Sequence, residues 1–217
     1  MTYDGKVTPG GPPQTRTTGQ LEITKLSVGP LDNNAYLLRC RTTGHALLID
    51  AANEPDRLLE LCGGSLDAIA TTHGHRDHWL GLQEVVAATG ATTYAHQADV
   101  PMIGVVTDQP LHAGGAITVG AVELEVVHLV GHTAGSAAII HRDSDGSVHC
   151  WSGDCLFPDG VGKTWGEPEL FELLLDQVTS KLFDQLPDET WVYPGHGNDT
   201  TIGVERPQLG QWRARGW

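Results

Sequence analysis

The chain has 217 residues, which is long enough for one large domain with a buried core. Its formal net charge of −14 would repel a phosphate backbone, so we expect no nucleic-acid partner. No apolar stretch has the length of a bilayer span or the pattern of a secretory signal, so the sequence predicts a cytoplasmic protein with no membrane partner.

The first nineteen residues show no regular spacing of apolar positions. They contain Pro9, Pro12 and Pro13 together with several glycines and threonines, a composition typical of segments that do not pack into a core. We therefore predict a flexible tail over residues 1–19, followed by a single domain over residues 20–217.

Short apolar runs bounded by turn residues recur along the rest of the chain and indicate buried strands. The predicted strands are Ala35–Leu38, Ala46–Asp50, Ala68–Thr71, Val122–Leu129, Ala137–His141 and Thr190–Tyr193. Apolar residues at helical spacing lie between them. The predicted helices are Pro55–Leu61, Trp79–Thr89 and Glu169–Leu186. This alternation of strands and helices predicts a mixed α/β domain.

The segment Thr72–His78 carries three histidines and an aspartate directly after a predicted strand. Side chains two positions apart in an extended backbone point to the same side, so His73 and His75 can approach one ion together. Asp77 and His78 follow closely enough to contact a second ion. Imidazole and carboxylate ligands suit zinc, iron or manganese rather than calcium. We therefore predict a metal-binding loop.

Three later segments share one design, an apolar strand followed by a glycine-rich loop with a ligand-type residue. The candidate ligands in these loops are His132, Asp154 and His196. A glycine-flanked aspartate alone is more typical of a turn. However, loops at the carboxyl ends of several strands can converge in one crevice, and their glycines let the backbone approach an ion. The four segments together therefore predict one site.

The motifs TTHGHRDH, GHTAGS, SGDCLF and PGHGNDTTIG resemble those of the metallo-β-lactamase superfamily, and within it those of the glyoxalase II-like hydrolases. The resemblance covers about residues 20–205 and implies a four-layer αββα sandwich. It also implies two divalent metal ions, of which zinc is the first expectation and iron or manganese the alternatives. The matched ligands are His73, His75 and His132 for the first ion, Asp77, His78 and His196 for the second, and Asp154 as the bridging carboxylate.

Such a binuclear site predicts hydrolysis, because two neighbouring cations lower the pKa of a shared water and stabilise the oxyanion that forms on a carbonyl. The resemblance implies a small-molecule substrate, a thioester of a low-molecular-weight thiol, cleaved by a metal-bridging hydroxide as in hydroxyacylglutathione hydrolases. Thiolate is a good leaving group, which suits a site with no obvious separate general acid. The catalytic side chains would be Asp154 and, in a minor proton-transfer role, Asp77.

Three further positions are candidates for substrate contact. Lys163 and Trp165 match a basic and an aromatic residue that help to hold the thiol in glyoxalase II enzymes. Asn198 stands where the long form of that family has a tyrosine. Only 21 residues follow His196, too few for the helical C-terminal domain of the long form, so the resemblance is to a short form. Another low-molecular-weight thiol, such as mycothiol, is therefore an alternative to glutathione.

Several alternatives remain open from the sequence. A mononuclear iron persulfide dioxygenase would use residues matching His73, His132 and Asp154. A lactonase is a second alternative, because ester and thioester carbonyls are attacked in the same way. A metal-binding module without catalysis is a third interpretation. Asp50, at the end of a predicted strand, is either the acceptor for a ligating histidine or a turn residue.

Overall fold

Seven strands form the first sheet of the computed structural model, which describes residues 3–216. In sheet order they are β1 Gln14–Thr17, β2 Leu21–Val28, β3 Asn33–Cys40, β4 Ala46–Ile49, β5 Ala68–Thr71, β6 Thr92–His96 and β7 Gln109–Leu111. Strands β1 to β4 pair antiparallel, and β4 to β7 pair parallel. Parallel neighbours need crossover connections, and two of these contain helices α1 (Pro55–Cys62) and α2 (Leu82–Thr89).

Six strands form the second sheet, in the order β15-β14-β11-β10-β9-β8. Their bounds are β8 Ala116–Val119, β9 Val122–His128, β10 Ala137–Arg142, β11 Val148–Gly153, β14 Trp191–Pro194 and β15 Thr200–Thr201. This half of the chain also contains a hairpin and three α-helices. They are the strands β12 Leu156–Phe157 and β13 Gly160–Val161, and the helices α3 Pro168–Val178, α4 Ile202–Glu205 and α5 Leu209–Arg215. Since β11 and β14 pair parallel, their carboxyl ends lie side by side.

The hydrophobic core is divided into three layers of side chains by the two sheets. Leu38 of the first sheet and Ile139 of the second belong to the layer between the sheets. The outer face of the first sheet packs against helical residues such as Leu58. The outer face of the second sheet packs against α3 and α5, which contribute Leu174 and Trp212. This arrangement confirms the predicted four-layer αββα sandwich.

Burial on both faces explains why the strands were recognisable as short apolar runs. All six predicted strands are present, within one or two residues at most of their ends. The second predicted helix begins at Leu82 rather than Trp79, because residues 76–78 form a separate 3₁₀ turn. The third ends as an α-helix at Val178 and continues as a π-helical turn over Thr179–Phe183.

Strand β2 was missed because its apolar pattern is interrupted by polar residues that are nevertheless buried. Thr24, Lys25 and Ser27 are at most 7% exposed. Their polar atoms are paired: the Ser27 hydroxyl donates to Asp32, and the Lys25 ammonium donates to two backbone carbonyls. Burial of hydrogen-bonded polar groups costs little compared with unpaired ones, so the strand tolerates them.

The predicted flexible tail is wrong in part. Residues Gln14–Thr17 pair with β2 as strand β1. Further toward the N-terminus, the Tyr3 hydroxyl donates a 2.6 Å hydrogen bond to Asp199, and Val7 is buried. Isolated contacts of this kind leave no periodic pattern in the sequence. Residues 1 and 2 of the predicted tail lie outside the described residues.

Within residues 3–216, no helix is both long enough and apolar enough to cross a membrane.

Candidate metal centre

Strand β5 ends at Thr71, and the predicted metal-binding loop follows at the carboxyl end of the parallel strands. The 3₁₀ turn over residues 76–78 folds the end of this loop back, so that the rings of His73 and His78 lie 4.1 Å apart. The loop therefore presents its histidines and Asp77 toward one region of space. The other candidate ligands reach that region from loops of the second sheet.

A first group of ring nitrogens comes from His73, His75 and His132. His75 Nδ1 lies 2.9 Å from Nε2 of His73 and 2.9 Å from Nε2 of His132, and those two Nε2 atoms are 3.2 Å apart. The ligand nitrogens of a tetrahedral zinc ion lie about 3.3 Å apart, given its usual bond lengths. This triangle of nitrogens therefore fits a bound metal ion.

A second group consists of Asp77, His78 and His196. The two Nε2 atoms are 3.1 Å apart, and Asp77 Oδ2 lies 3.4 Å from His196 Nε2 and 3.7 Å from His78 Nε2. Asn33 donates a 3.0 Å hydrogen bond to the same Asp77 oxygen and thereby orients the carboxylate. A ring nitrogen from the loop after β5 and another from the loop after β14 thus lie close enough to one carboxylate to bind a metal ion together with it.

Asp154 lies between the two groups. Its Oδ2 is 3.5 Å from His132 Nε2 and 3.5 Å from His196 Nε2, while Oδ1 is 3.4 Å from His78 Nε2. Oδ1 is buried and has no hydrogen-bond partner among the described residues. A buried carboxylate oxygen without a partner is costly, so its position favours a cation beside it. The donor set therefore fits two ions with Asp154 between them.

The opposite ring nitrogen of three histidines is held by an oxygen that can only accept. The contacts are His78 Nδ1 to Asp50 Oδ2 at 2.8 Å, His132 Nδ1 to the Lys163 carbonyl at 2.9 Å and His196 Nδ1 to the Leu31 carbonyl at 2.9 Å. Nδ1 must carry the hydrogen in each contact, which leaves the Nε2 lone pair of the neutral ring facing the cluster. Two backbone carbonyls and one carboxylate therefore fix the tautomer that metal binding requires.

Asp50 has the first of the two roles left open by the sequence. Besides His78, its carboxylate accepts the Thr72 amide at 2.7 Å and the Thr72 hydroxyl at 2.8 Å. Asp50 has a φ of +57°, a conformation that aspartate adopts more readily than most residues. It is thus the acceptor for a candidate ligand and fixes the start of the metal-binding loop.

The two groups differ in their affinity for protons. Burial lowers the pKa values of His73, His75 and His132, so these rings are neutral at neutral pH. Burial also opposes charge on His196, but its hydrogen bonds with Asp154 and Asp77 outweigh that effect and raise its pKa to about 9. The carboxylates of the second group therefore favour positive charge at this position.

Asp99 is a residue of the site that sequence reasoning missed. Its fully buried carboxylate accepts hydrogen bonds from the Gly74 amide, the Gly135 amide and the Thr133 hydroxyl, at 2.6–2.7 Å. It therefore ties the loop of His73 and His75 to the loop of His132. A single aspartate after a strand carries no spacing signal that could have revealed this role.

A cavity of about 800 Å³ opens onto the cluster. Of the three candidates for substrate contact, Lys163 and Trp165 line it, whereas Asn198 is exposed and is not among the lining residues. Trp165 remains 63% exposed although its ring lies 5.0 Å from the ring of His75 and stacks on that of His132 at 5.4 Å. Its backbone has a φ of +53°, a costly conformation for tryptophan and one that concentrates at functional sites.

Comparison with known protein families gives a match over residues 28–196 to the model of the metallo-beta-lactamase superfamily. An uncharacterised protein of Mycobacterium tuberculosis is 31% identical over 212 residues, which cover 85% of this chain and 94% of that protein. A hydroxyacylglutathione hydrolase of Polaromonas sp. is 36% identical over 171 residues. That alignment covers 76% of this chain and only 62% of the hydrolase, so the chain matches less than two thirds of the enzyme's length.

Among solved structures, TTHA1623 in a di-iron-bound form superimposes with a TM-score of 0.68 at 32% sequence identity. The superposition covers 84% of this chain and 96% of TTHA1623. The similarity therefore extends over nearly the whole of a protein that holds two metal ions.

Proposed function

The chain belongs to the metallo-β-lactamase superfamily, whose members are mostly hydrolases, and we propose that it is a binuclear metallo-hydrolase of small-molecule thioesters. The thiol carrier would be a low-molecular-weight thiol, as the similarity to a hydroxyacylglutathione hydrolase suggests. The observation that carries the proposal is the position of Asp154, whose oxygens face ligand nitrogens of both groups. A carboxylate in that position suits two ions better than one.

The seven side chains divide into two metal positions with one shared member. The first position would be held by His73, His75, His132 and Asp154, and the second by Asp77, His78, His196 and Asp154. Zinc, manganese and iron all suit this nitrogen and oxygen set. When bound, two such ions lower the pKa of a water molecule and polarise a carbonyl oxygen. With four protein ligands at each position, an ion that accepts five or six ligands would still have positions for water and substrate.

The protein's own side chains would orient the reacting groups. Asp77 accepts from Asn33 and is paired with His196, whose hydrogen bond lowers the pKa of its carboxyl, so it is ionised at neutral pH. It can therefore accept a proton but has none to donate. This agrees with a thiolate leaving group, which needs no protonation to depart.

The cavity offers both charged and apolar surfaces to a substrate, and the carboxylates of Asp77, Asp154 and Asp159 line it together with basic side chains. Three of the chain's thirteen basic side chains line it, although the net charge is −14. They are Arg76, Lys163 and Arg215. Apolar side chains such as Leu31 and Phe157 line the cavity as well, so it offers surfaces for both a charged and an apolar part of a thioester.

A mononuclear iron dioxygenase is the alternative from another class. Such an enzyme would use His73, His132 and Asp154, and would leave the second group without a role. Since Asp77, His78 and His196 meet within metal-ligand spacing, we favour the hydrolase.

The test is to measure metal content and thioester hydrolysis on the same preparation. We expect close to two ions per chain by elemental mass spectrometry, and release of free thiol from a panel of acyl thioesters. Removal of the metal with a chelator should abolish the hydrolysis, and zinc or manganese should restore it. A single iron per chain, with oxygen uptake in the presence of a persulfide and no thioester cleavage, would overturn the proposal.

Trp165→Ala is expected to raise KM for the thioester by about 3- to 10-fold with little change in kcat, because an exposed aromatic contact contributes about 0.5–1.5 kcal/mol. The indole stacks on His132 but supplies no candidate ligand atom, so we expect the metal ions to stay bound. Val204→Ala removes an equally exposed apolar side chain away from the cavity, and its KM should match wild type. Steady-state kinetics on both variants make the comparison. An unchanged KM for Trp165→Ala would show that Trp165 does not contact the substrate.

A further inference from the structure

A buried ion pair links the first sheet to the loop after β14. Lys25 Nζ lies 2.6 Å from Asp199 Oδ1, and both side chains are fully buried. The ammonium also donates to the carbonyls of Gly197 at 2.6 Å and Gly5 at 2.8 Å. All three hydrogens of the ammonium therefore have an acceptor.

Burial opposes the charge on both partners. It lowers the pKa of Lys25 and raises the pKa of Asp199. Buried ion pairs are weak contributors to stability for this reason, since desolvation offsets most of their attraction. The pair is therefore better explained by the geometry that it imposes than by the stability that it adds.

The backbone that the pair holds carries a candidate metal ligand. Gly197 directly follows His196, and its carbonyl accepts both from Lys25 and from Asn34 Nδ2, the latter at 2.9 Å. The His196 ring is fixed on its other side by the Leu31 carbonyl. Lys25 thus fixes the carbonyl of the residue that directly follows a candidate metal ligand.

The N-terminal residues complete the same network from outside. The Tyr3 hydroxyl donates to Asp199 Oδ2 at 2.6 Å, and the Asp199 amide donates to the Gly5 carbonyl at 3.3 Å. Gly5 has a φ of +74°, and a Cβ atom there would lie 2.6 Å from Asp199 Cβ. The approach is therefore close enough to require glycine.

We propose that Tyr3, Lys25 and Asp199 are positioning residues for His196, and that they set the affinity of the second metal position. The N-terminal segment is then part of the support of the metal centre. This inference rests on the proposed binuclear function, because it assigns His196 to the second ion.

Tyr3→Phe is the mildest test, since it removes only one hydroxyl from the network. Zinc binding is titrated against a chromophoric chelator, so that the first and second equivalents are resolved without reference to activity. We expect the affinity for the second equivalent to fall about 10-fold, the lower range for loss of a group that orients a ligand, and the first to stay unchanged. Lys25→Met should give a larger loss in the same equivalent.

Thr18→Val is the matched control. It also removes a hydroxyl that donates to a buried aspartate, Asp143, but that residue lies in the turn at the other end of β11 from Asp154. We expect wild-type affinity for both equivalents. Thermal unfolding of each variant without metal shows whether any loss of affinity merely follows a loss of stability.

Two different failures are distinguishable. If wild type binds two ions and Tyr3→Phe and Lys25→Met keep both affinities, or lose both equally, the positioning role is overturned while the proposed function stands. If wild type itself binds only one ion, the binuclear function fails, and the inference fails with it.

Discussion

Asp154→Asn is expected to lower kcat/KM for a thioester by about 10³-fold or more, at the upper end of losses for single groups that stabilise a transition state. Each carboxylate oxygen faces a different set of ligand nitrogens, 3.4–3.5 Å away. An amide keeps one of the two acceptor oxygens and replaces the other with an NH₂ group, which does not bind a cation. The side chain can then serve only one of the two positions.

The metal content of Asp154→Asn should fall from two ions toward one per chain, measured on protein prepared in the same buffer as wild type. Asp184→Asn makes the same charge change at an exposed position and should retain both the ions and the activity. An Asp154→Asn protein that kept two ions and wild-type turnover would show that this carboxylate does not bridge them.

Gly195→Ala should lower activity by a factor of the same order, but for a steric reason. A Cβ atom at Gly195 would lie 2.1 Å from Asp154 Oδ1 and 2.7 Å from His78 Cε1. Both neighbours are candidate ligands, and His78 is in turn held by Asp50, so neither can move without disrupting the cluster. We also expect a loss of about 1–3 kcal/mol in the free energy of unfolding, as is usual for overpacking.

Gly210→Ala separates the steric effect from a general effect of adding a methyl group. No atom lies within 4 Å of a Cβ built at Gly210, which is in helix α5. Alanine there should leave the free energy of unfolding unchanged or raise it by up to about 1 kcal/mol, because alanine is a better helix former than glycine. Urea unfolding and metal analysis of both variants make the measurement. If Gly195→Ala retained its metal ions and its stability, the metal cluster would not require a glycine at residue 195.

The candidate metal ligands could be selected from the sequence because each lies in a local motif with a recognisable spacing. The His-x-His spacing and the glycines around His132, Asp154 and His196 are visible in the sequence without knowledge of the fold. The layer order was predictable only through the family resemblance, since apolar runs specify strands but not which strands pair.

The polar support of the site could not be predicted in the same way. Asp99 and Lys25 contact backbone groups that are distant in sequence, and neither belongs to a repeating pattern. Strand β1 was missed for a related reason, because backbone pairing and the cation–π contacts of Arg16 with Tyr3 and Trp191 stabilise it without a run of apolar residues. Asn198, a candidate inferred from the family resemblance, is exposed and is not among the residues that line the cavity, so its contact with substrate stays a prediction.

The residues Tyr3 and Asp199, which are in contact, are 196 positions apart in the sequence. So large a separation affects when this contact can form during folding. Contacts that close so long a loop must overcome its entropy before they stabilise anything, so they form late in folding. During translation, His73, His75 and His132 are all available while residues beyond 132 are still being added. His196 is synthesised 64 residues after His132, so its contacts with the N-terminal residues can form only after those of the histidine triangle have become possible.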